Sequence, residues 1–287
     1  MIKKLITLAA ILFFNQFCSA QTQVTVTYNY TGTISKYPVE MQLLVNRATD
    51  TLEGEYYYLK SGIDAKLWVR GVKGPGNSIN LTEKDFRQRD KDDQFRITGL
   101  FTLTGTDTLS GNWKNPNTGA VLPVKLAMRE KLNGLQPADY KFKLRTYKGE
   151  MTDAGNHQRM YTKINQLDIY YQDKLHQRIG GFDQCVDNNR PEVIMEDLNF
   201  DGYLDLKVPV YFPERVKYDG SFLYFIYNKT SRQFEMHQQL IELEYLTFDP
   251  VKKEVSRYDQ GAEGFIINYY KWKDGKVYLA RTEREEQ

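Results

Sequence analysis

The sequence predicts an all-β protein. An up-and-down meander or small barrel occupies residues 21–130, and an irregular, mostly antiparallel β domain occupies 137–287. Three observations carry this prediction. Short runs of alternating apolar and polar residues follow one another along the chain, the period of a half-buried strand. Turn chemistry separates the runs at even spacing, as in Gly74-Pro75-Gly76-Asn77 and Asn115-Pro116-Asn117-Thr118-Gly119. Only Ala154–Tyr161 reads as even briefly helical.

The chain opens with a segment of a different kind. Lys3 and Lys4 precede an apolar run from Leu5 to Phe14, and Cys18-Ser19-Ala20 offers small residues for cleavage. That is the secretory pattern, and the run is too short to span a bilayer. Residues 1–20 are therefore expected to be a signal peptide, the mature chain starting at Gln21 as an exported protein, periplasmic or secreted. Lipidation at Cys18 fits less well, because Phe17 and Asn15 stand where a lipobox wants a small residue and leucine. No later segment is apolar and long enough to be a transmembrane segment.

Loss of Lys3 and Lys4 takes the formal net charge from +2 to zero. A neutral chain gives no reason to expect nucleic acid or an anionic membrane as partner. It also loses Cys18 and keeps Cys185 alone, so no internal disulfide is expected in an exported protein whose stability must come from its core or from metal.

In the first half, strands are expected at Tyr28–Ser35, Val39–Asn46, Leu52–Leu59, Lys66–Val72, Ser78–Glu83, Phe95–Leu103, Leu109–Trp113 and Leu122–Ala127. Gly32, Gly54, Gly71, Gly99 and Gly111 fall inside them, where glycine marks the bends that let a sheet curl into a barrel. Alternation in Tyr56-Tyr57-Tyr58 sends Tyr57 to one face and its neighbours to the other. The charged segment Lys84–Asp93 reads as a solvated hairpin tip. The barrel is expected to be filled by its own side chains rather than to hold a ligand. Glu130 to Asp139, with Asn133-Gly134 and Pro137, reads as a polar connector.

Beyond it, strands are expected at Lys141–Tyr147, Asn165–Tyr171, Gln177–Phe182, Glu192–Met195, Leu204–Tyr211, Phe222–Asn228, Gln233–Leu240, Leu246–Asp249, Glu254–Gln260, Gly264–Lys271 and Lys276–Arg281. Between two of them lies E-D-L-N-F-D-G-Y-L-D-L-K-V, residues 196–208. Counted from Asp197, side-chain oxygens fall at positions 1, 3, 5 and 9 (Asp197, Asn199, Asp201, Asp205), with Gly202 at position 6 and the Tyr203 carbonyl at 7. Calcium takes six to eight oxygen ligands from a flexible loop, whereas magnesium demands tighter octahedral geometry. An EF-hand would place Glu at position 12 on a helix, but Val208 stands there in a strand. The stretch thus reads as a nine-residue Ca²⁺ loop leading into a β-strand. The bland reading is a set of Asx turns, which would use Asp, Asn and Gly for conformation alone.

Asp197–Val208, the run F-L-Y-F-I-Y-N at Phe222–Asn228, the F-D-P turn at Phe248 and the closing Y-K-W-K-D-G-K-V-Y-L at Tyr270–Leu279 resemble a family of exported bacterial proteins with a propeller-like FG-GAP repeat fold. Its studied members are calcium-binding periplasmic immunity proteins that block lysozyme-like toxins delivered by type IV secretion, and their fold is similar to that of invertebrate-type lysozyme inhibitors. The resemblance covers Leu167 to Gln287 and leaves the N-terminal barrel unmatched. It implies a propeller-like C-terminal domain, bound Ca²⁺, and a lysozyme-like glycoside hydrolase as partner.

Catalytic signatures are missing. There is no G-x-S-x-G, H-E-x-x-H, P-loop or G-x-G-x-x-G, and His157, His176 and His237 stand apart from one another and from Cys185. Cys185 reads as a structural thiol, and Glu192 and Glu196 as loop carboxylates rather than a glycosidase pair. A non-catalytic inhibitor or immunity protein is the leading expectation, with a calcium-dependent glycan- or cell-surface-binding module as the alternative. The 21 Tyr and 15 Phe suit either. Intact-mass analysis of exported protein should show a chain starting at Gln21 without a lipid adduct. A diacylglycerol adduct on Cys18 would overturn this.

Overall fold

The computed structural model describes residues 22–89, 95–130, 132, 135–186, 190–215, 220–261 and 264–286. The signal-peptide expectation, the distal part of the Lys84–Asp93 tip and Asn133-Gly134 lie outside the described residues. The described chain is all-β, and none of its helices is long and apolar enough to cross a membrane.

The first eight strands close a barrel. They are β1 (Gln23–Ile34), β2 (Tyr37–Asn46), β3 (Thr51–Tyr58), β4 (Leu67–Lys73), β5 (Ser78–Arg89), β6 (Phe95–Gly105), β7 (Thr108–Lys114) and β8 (Val121–Met128). Each pairs antiparallel with the next, and β8 returns to β1 with Tyr30 opposite Met128 and Ile34 opposite Val124. All eight expected strands are present, with ends moved by a few residues. Lys84–Arg89 belongs to β5 rather than to a hairpin tip.

Glycine explains how the sheet closes. A Cβ on Gly54 would lie 2.0 Å from the Gln42 carbonyl oxygen, and one on Gly71 only 1.8 Å from that of Asn80. Both strands therefore cross their neighbours closer than any side chain permits. Gly99 serves a different end, since its missing Cβ leaves room for the Trp113 indole nitrogen, 2.1 Å from where the carbon would sit.

Side chains pack the middle of the barrel, and one end opens into a cleft of about 450 Å³ lined by Tyr28, Leu43, Leu52 and Ile79 among others. Tyr30, Leu43, Leu52, Tyr56, Phe101 and Leu103 are among the side chains that meet inside it, each contributing about 1.5–3 kcal/mol by leaving water. Alternation at 56–58 holds, since Tyr56 and Tyr58 pack inward while Tyr57 faces out. One buried carboxylate sits at an end of this core. Glu83 accepts hydrogen bonds from Tyr56 Oη (2.5 Å), Thr98 Oγ1 (2.5 Å) and Trp113 Nε1 (2.7 Å), which replace the water it loses.

The second half begins with β9 (Tyr140–Thr152), β10 (Gln158–Tyr171) and β11 (Lys174–Ile179), followed by β12 (Gln184–Val186), β13 (Glu192–Glu196), β14 (Asp205–Tyr211), β15 (Gly220–Asn228) and β16 (Gln233–Met236). The helical expectation for Ala154–Tyr161 fails. Asp153 to Gly155 turn, with Asp153 Oδ1 accepting from the Gly155 and His157 amides, and the rest enters β10. An α-helix, α1 (Gln238–Leu243), lies instead at the end of the strand expected over Gln233–Leu240. His237 Nδ1 caps it by accepting from the Leu240 amide, and buried Leu240 anchors it. Strand β12 is too short to show a period and escaped the sequence reading.

Strand β14 runs down the middle of this half. It pairs with β13 at one end, with β12 at the other, and with β15 along its length. Pro209, which lacks an N–H, stands where the partner on one side changes from β13 to β12. Strand β15 is apolar without alternation because both of its faces are buried. Leu223 and Phe225 join the main core of this half, and Tyr224 joins a smaller one. That smaller core lies beneath a separate antiparallel meander of β17 (Leu246–Asp249), β18 (Glu254–Gly261), β19 (Gly264–Lys273) and β20 (Lys276–Glu286).

The stretch 130–137, expected to divide two domains, lies between β8 and β9 and does not separate two hydrogen-bonded systems. The first residues of β1 pair in parallel with β13, Gln23 opposite Glu192 and Val26 opposite Met195. Thr25 Oγ1 adds a 2.6 Å bond to Glu192, and Val26 packs into the core of the second half. A chain cut between Arg129 and Tyr140 should therefore elute as one species of native mass and separate only in denaturant. Two separate peaks under native conditions would show that the β1–β13 pairing does not hold the halves together.

Candidate metal centre

The loop at 197–205 joins β13 to β14, and its own side chains shape it. Asp197 Oδ1 accepts the Asp201 amide at 3.1 Å and Oδ2 the Gly202 amide at 3.0 Å. Asn199 Oδ1 accepts the same Asp201 amide at 3.0 Å, and Asp201 Oδ1 accepts that of Tyr203 at 3.0 Å. The chain curls because Phe200 and Gly202 both adopt positive φ, 61° and 92°, at the second of which glycine is strongly favoured. Apolar neighbours anchor the curl. Leu198 and Leu204 are fully buried in different cores, Tyr203 stacks on Tyr227 at 5.6 Å, and Trp272 Nε1 donates to the Leu198 carbonyl at 3.0 Å.

The five predicted ligands are brought into one loop but do not play one part. Asp197, Asn199 and Asp201 line the curl, Asp201 being exposed and the other two half-buried. Asp205 is turned into the protein and fully buried. Its Oδ2 accepts the Leu198 (2.9 Å) and Asn199 (3.3 Å) amides, and its Oδ1 accepts that of Tyr227 at 2.7 Å. It ties the loop to itself and to β15 through three of the roughly four lone-pair sites of its carboxylate. Among the described residues, no three acidic, histidine or cysteine side chains converge closely enough to hold a metal by themselves. The residues that could hold a cation are Asp197, Asn199, Asp201 and Asp205 with the Tyr203 carbonyl, and water would complete the shell that calcium requires.

Burial makes ionisation costly for the carboxyls here. Burial pushes the Asp197 carboxyl up to about 7, the charges of Asp201 and Glu130 push the same way, and the Gly202 and Asp201 amides oppose it. Burial likewise holds Asp205 well above the usual carboxylate range, against the bond from Tyr227 and reinforced by the charge of Asp197. Glu130 is the member the sequence did not reveal, because it looked like part of a polar connector. It is buried, accepts the Asn29 amide at 3.1 Å and Asn29 Nδ2 at 2.6 Å, and is itself raised, chiefly by burial. Glu196 also departs from expectation. It ends β13 rather than standing in a loop, is buried and ion-paired with Lys207 on β14, and its charge adds to the rise of Glu130.

Comparison with known proteins adds little. No protein-family model matches the chain, and no curated protein does. Among solved structures, a 6-phosphogluconolactonase-like protein of Bacteroides fragilis is 12% identical, with a TM-score of 0.27 over 91% of this chain and 84% of its own. At that score the likeness carries no argument about fold or activity.

The raised carboxyls set the direction of a pH effect. A folded-state pKa above the unfolded value means that the native loop holds its proton more tightly. Stability from this source is full below about pH 4, falls as pH rises, and is lost by about pH 7. In chelator the melting temperature should fall between pH 5 and pH 8, by an amount reflecting a few kcal/mol at most. Asp197→Asn should flatten that fall. An unchanged slope in the variant would remove Asp197 from the account.

Proposed function

We propose that this is an exported, non-catalytic binding protein whose 197–205 loop holds one Ca²⁺, and whose partner is a lysozyme-like glycoside hydrolase of the cell wall. The observation that carries the cation is the curl itself. Asp197, Asn199 and Asp201 present oxygens from one tight turn, burial destabilises the Asp197 carboxyl as an anion, and the Tyr203 carbonyl follows at the position such a loop uses. The partner rests on the resemblance of the segment from Leu167 to Gln287 to calcium-binding immunity proteins. The four-stranded meander β17–β20 has the form of one propeller blade, which agrees with that resemblance. The lack of a recognisable nucleophile or zinc motif supports a binding role over catalysis.

In this reading the ion fixes the turn between β13 and β14 and so stiffens the second half. At free calcium a hundredfold above its dissociation constant, linkage contributes roughly 2.7 kcal/mol. Melting curves in calcium and in chelator should differ accordingly. Asp201→Ala should lose most of the shift, and Tyr203→Phe should keep it, because only the backbone is used there. Identical wild-type curves, with no metal found by elemental analysis, would leave the loop a set of Asx turns. The partner is tested separately by retention of exported muramidases on the immobilised mature chain. Retention of none of them would remove the inhibitor reading and leave the calcium loop standing.

A further inference from the structure

A cleft of about 340 Å³ lies between the outer face of β2–β3 on the barrel and the β14–β15–β17 side of the second half. Its walls combine two kinds of surface. Tyr57, the outward member of the tyrosine triplet, faces Phe222, Leu246 and Phe248, giving apolar and aromatic ground on both sides. Between them stand carboxylates already matched to cations. Glu196 is paired with Lys207, whose ammonium also lies 5.2 Å from the Phe222 ring centre. Glu55 is paired with Lys66. Glu40, buried, accepts Arg129 Nε at 2.9 Å and Thr31 Oγ1 at 2.9 Å. The fourth carboxylate, Asp249, caps its own turn by accepting the Val251 and Lys252 amides.

Such a lining is poor in net charge and rich in fixed hydrogen-bonding groups. A strongly charged ligand would find each of the three glutamates already neutralised and would have to displace a cation to use it. A purely apolar ligand would strand the buried Glu196–Lys207 pair against its surface. A neutral molecule with many hydroxyls on an apolar ring satisfies both, since each hydroxyl can donate to carboxylate and accept from ammonium. The volume is that of a small-ligand pocket.

We propose that this cleft binds a neutral saccharide, one or two pyranose rings held against Tyr57 and hydrogen-bonded by the Glu55–Lys66 and Glu196–Lys207 pairs. The site uses none of the groups that line the 197–205 curl, so it stands or falls apart from the calcium reading.

The test is calorimetric titration of the full mature chain with chitotriose, cellotriose and maltotriose. At least one should bind saturably at a single site. Thr247, exposed on the rim, offers a blocking variant that leaves the core intact, and Thr247→Trp should weaken binding by at least about tenfold. Lys66→Met, in an exposed pair, should weaken it about threefold, and Asp201→Ala should leave it unchanged. Lack of saturable binding by any of the three up to about 10 mM, or binding that Thr247→Trp does not alter, overturns the proposal. A muramidase held by the wild type and released by Thr247→Trp, without sugar binding, would assign the cleft to a protein partner and equally overturn it.

Discussion

Strand β1 has to belong to two sheets at once, and much of the architecture follows from that constraint. Its later residues, Tyr30 to Ile34, close the barrel against β8, while Gln23 to Val26 run parallel to β13. Parallel neighbours cannot be joined by a tight hairpin, and here the chain travels the whole barrel and four further strands before β13 arrives. The pairing therefore forms late in sequence terms and pins the second half to the first edge of the barrel. It also sets Asn29, near the middle of β1, against Glu130 just after β8.

A second theme is how the protein accommodates buried carboxylates. Glu83 is satisfied by three neutral donors inside the barrel, and Asp168 by Arg145 at 3.0 Å and Arg178 at 2.7 Å across the β9–β11 sheet. Asp205 is satisfied by three backbone amides. In each case hydrogen bonds replace lost water, as they must for the fold to survive the desolvation. Asp197 and Asp205 are nonetheless both held above the usual carboxylate range, chiefly by burial, their amide bonds offsetting only part of it. Both stand in the loop at which the sequence places its most regular oxygen spacing.

Function, in this view, gathers along β13 and β14. Glu196 ends β13 on the cleft side, and Asp197 begins the loop in the next position. Lys207 on β14 returns to pair with Glu196. Two neighbouring features of different chemistry are thus carried by one hairpin, whose rigidity comes from Leu198, Leu204 and the Trp272 bond beneath it. A cleft partner and a loop cation would each meet the same short piece of backbone.

Period-2 alternation, turn residues and strand glycines sufficed to place all eight barrel strands and most of the later ones, because each of those signals acts within a few residues. The curl at 197–205 was legible for the same reason, its Asp, Asn and Gly shaping their own backbone. Helix α1 was not, since Gln238–Leu243 continues an apolar strand pattern and only the His237 cap and the burial of Leu240 decide for helix. Nor were the inward turn of Asp205, the burial of Glu130 and Glu196, or the double membership of β1. Each depends on residues from 11 to more than 160 positions away, brought close by the closure of the barrel and the return of β13. Local steric and hydrogen-bonding preferences are written along the chain, whereas desolvation and charge pairing exist only once distant strands have met.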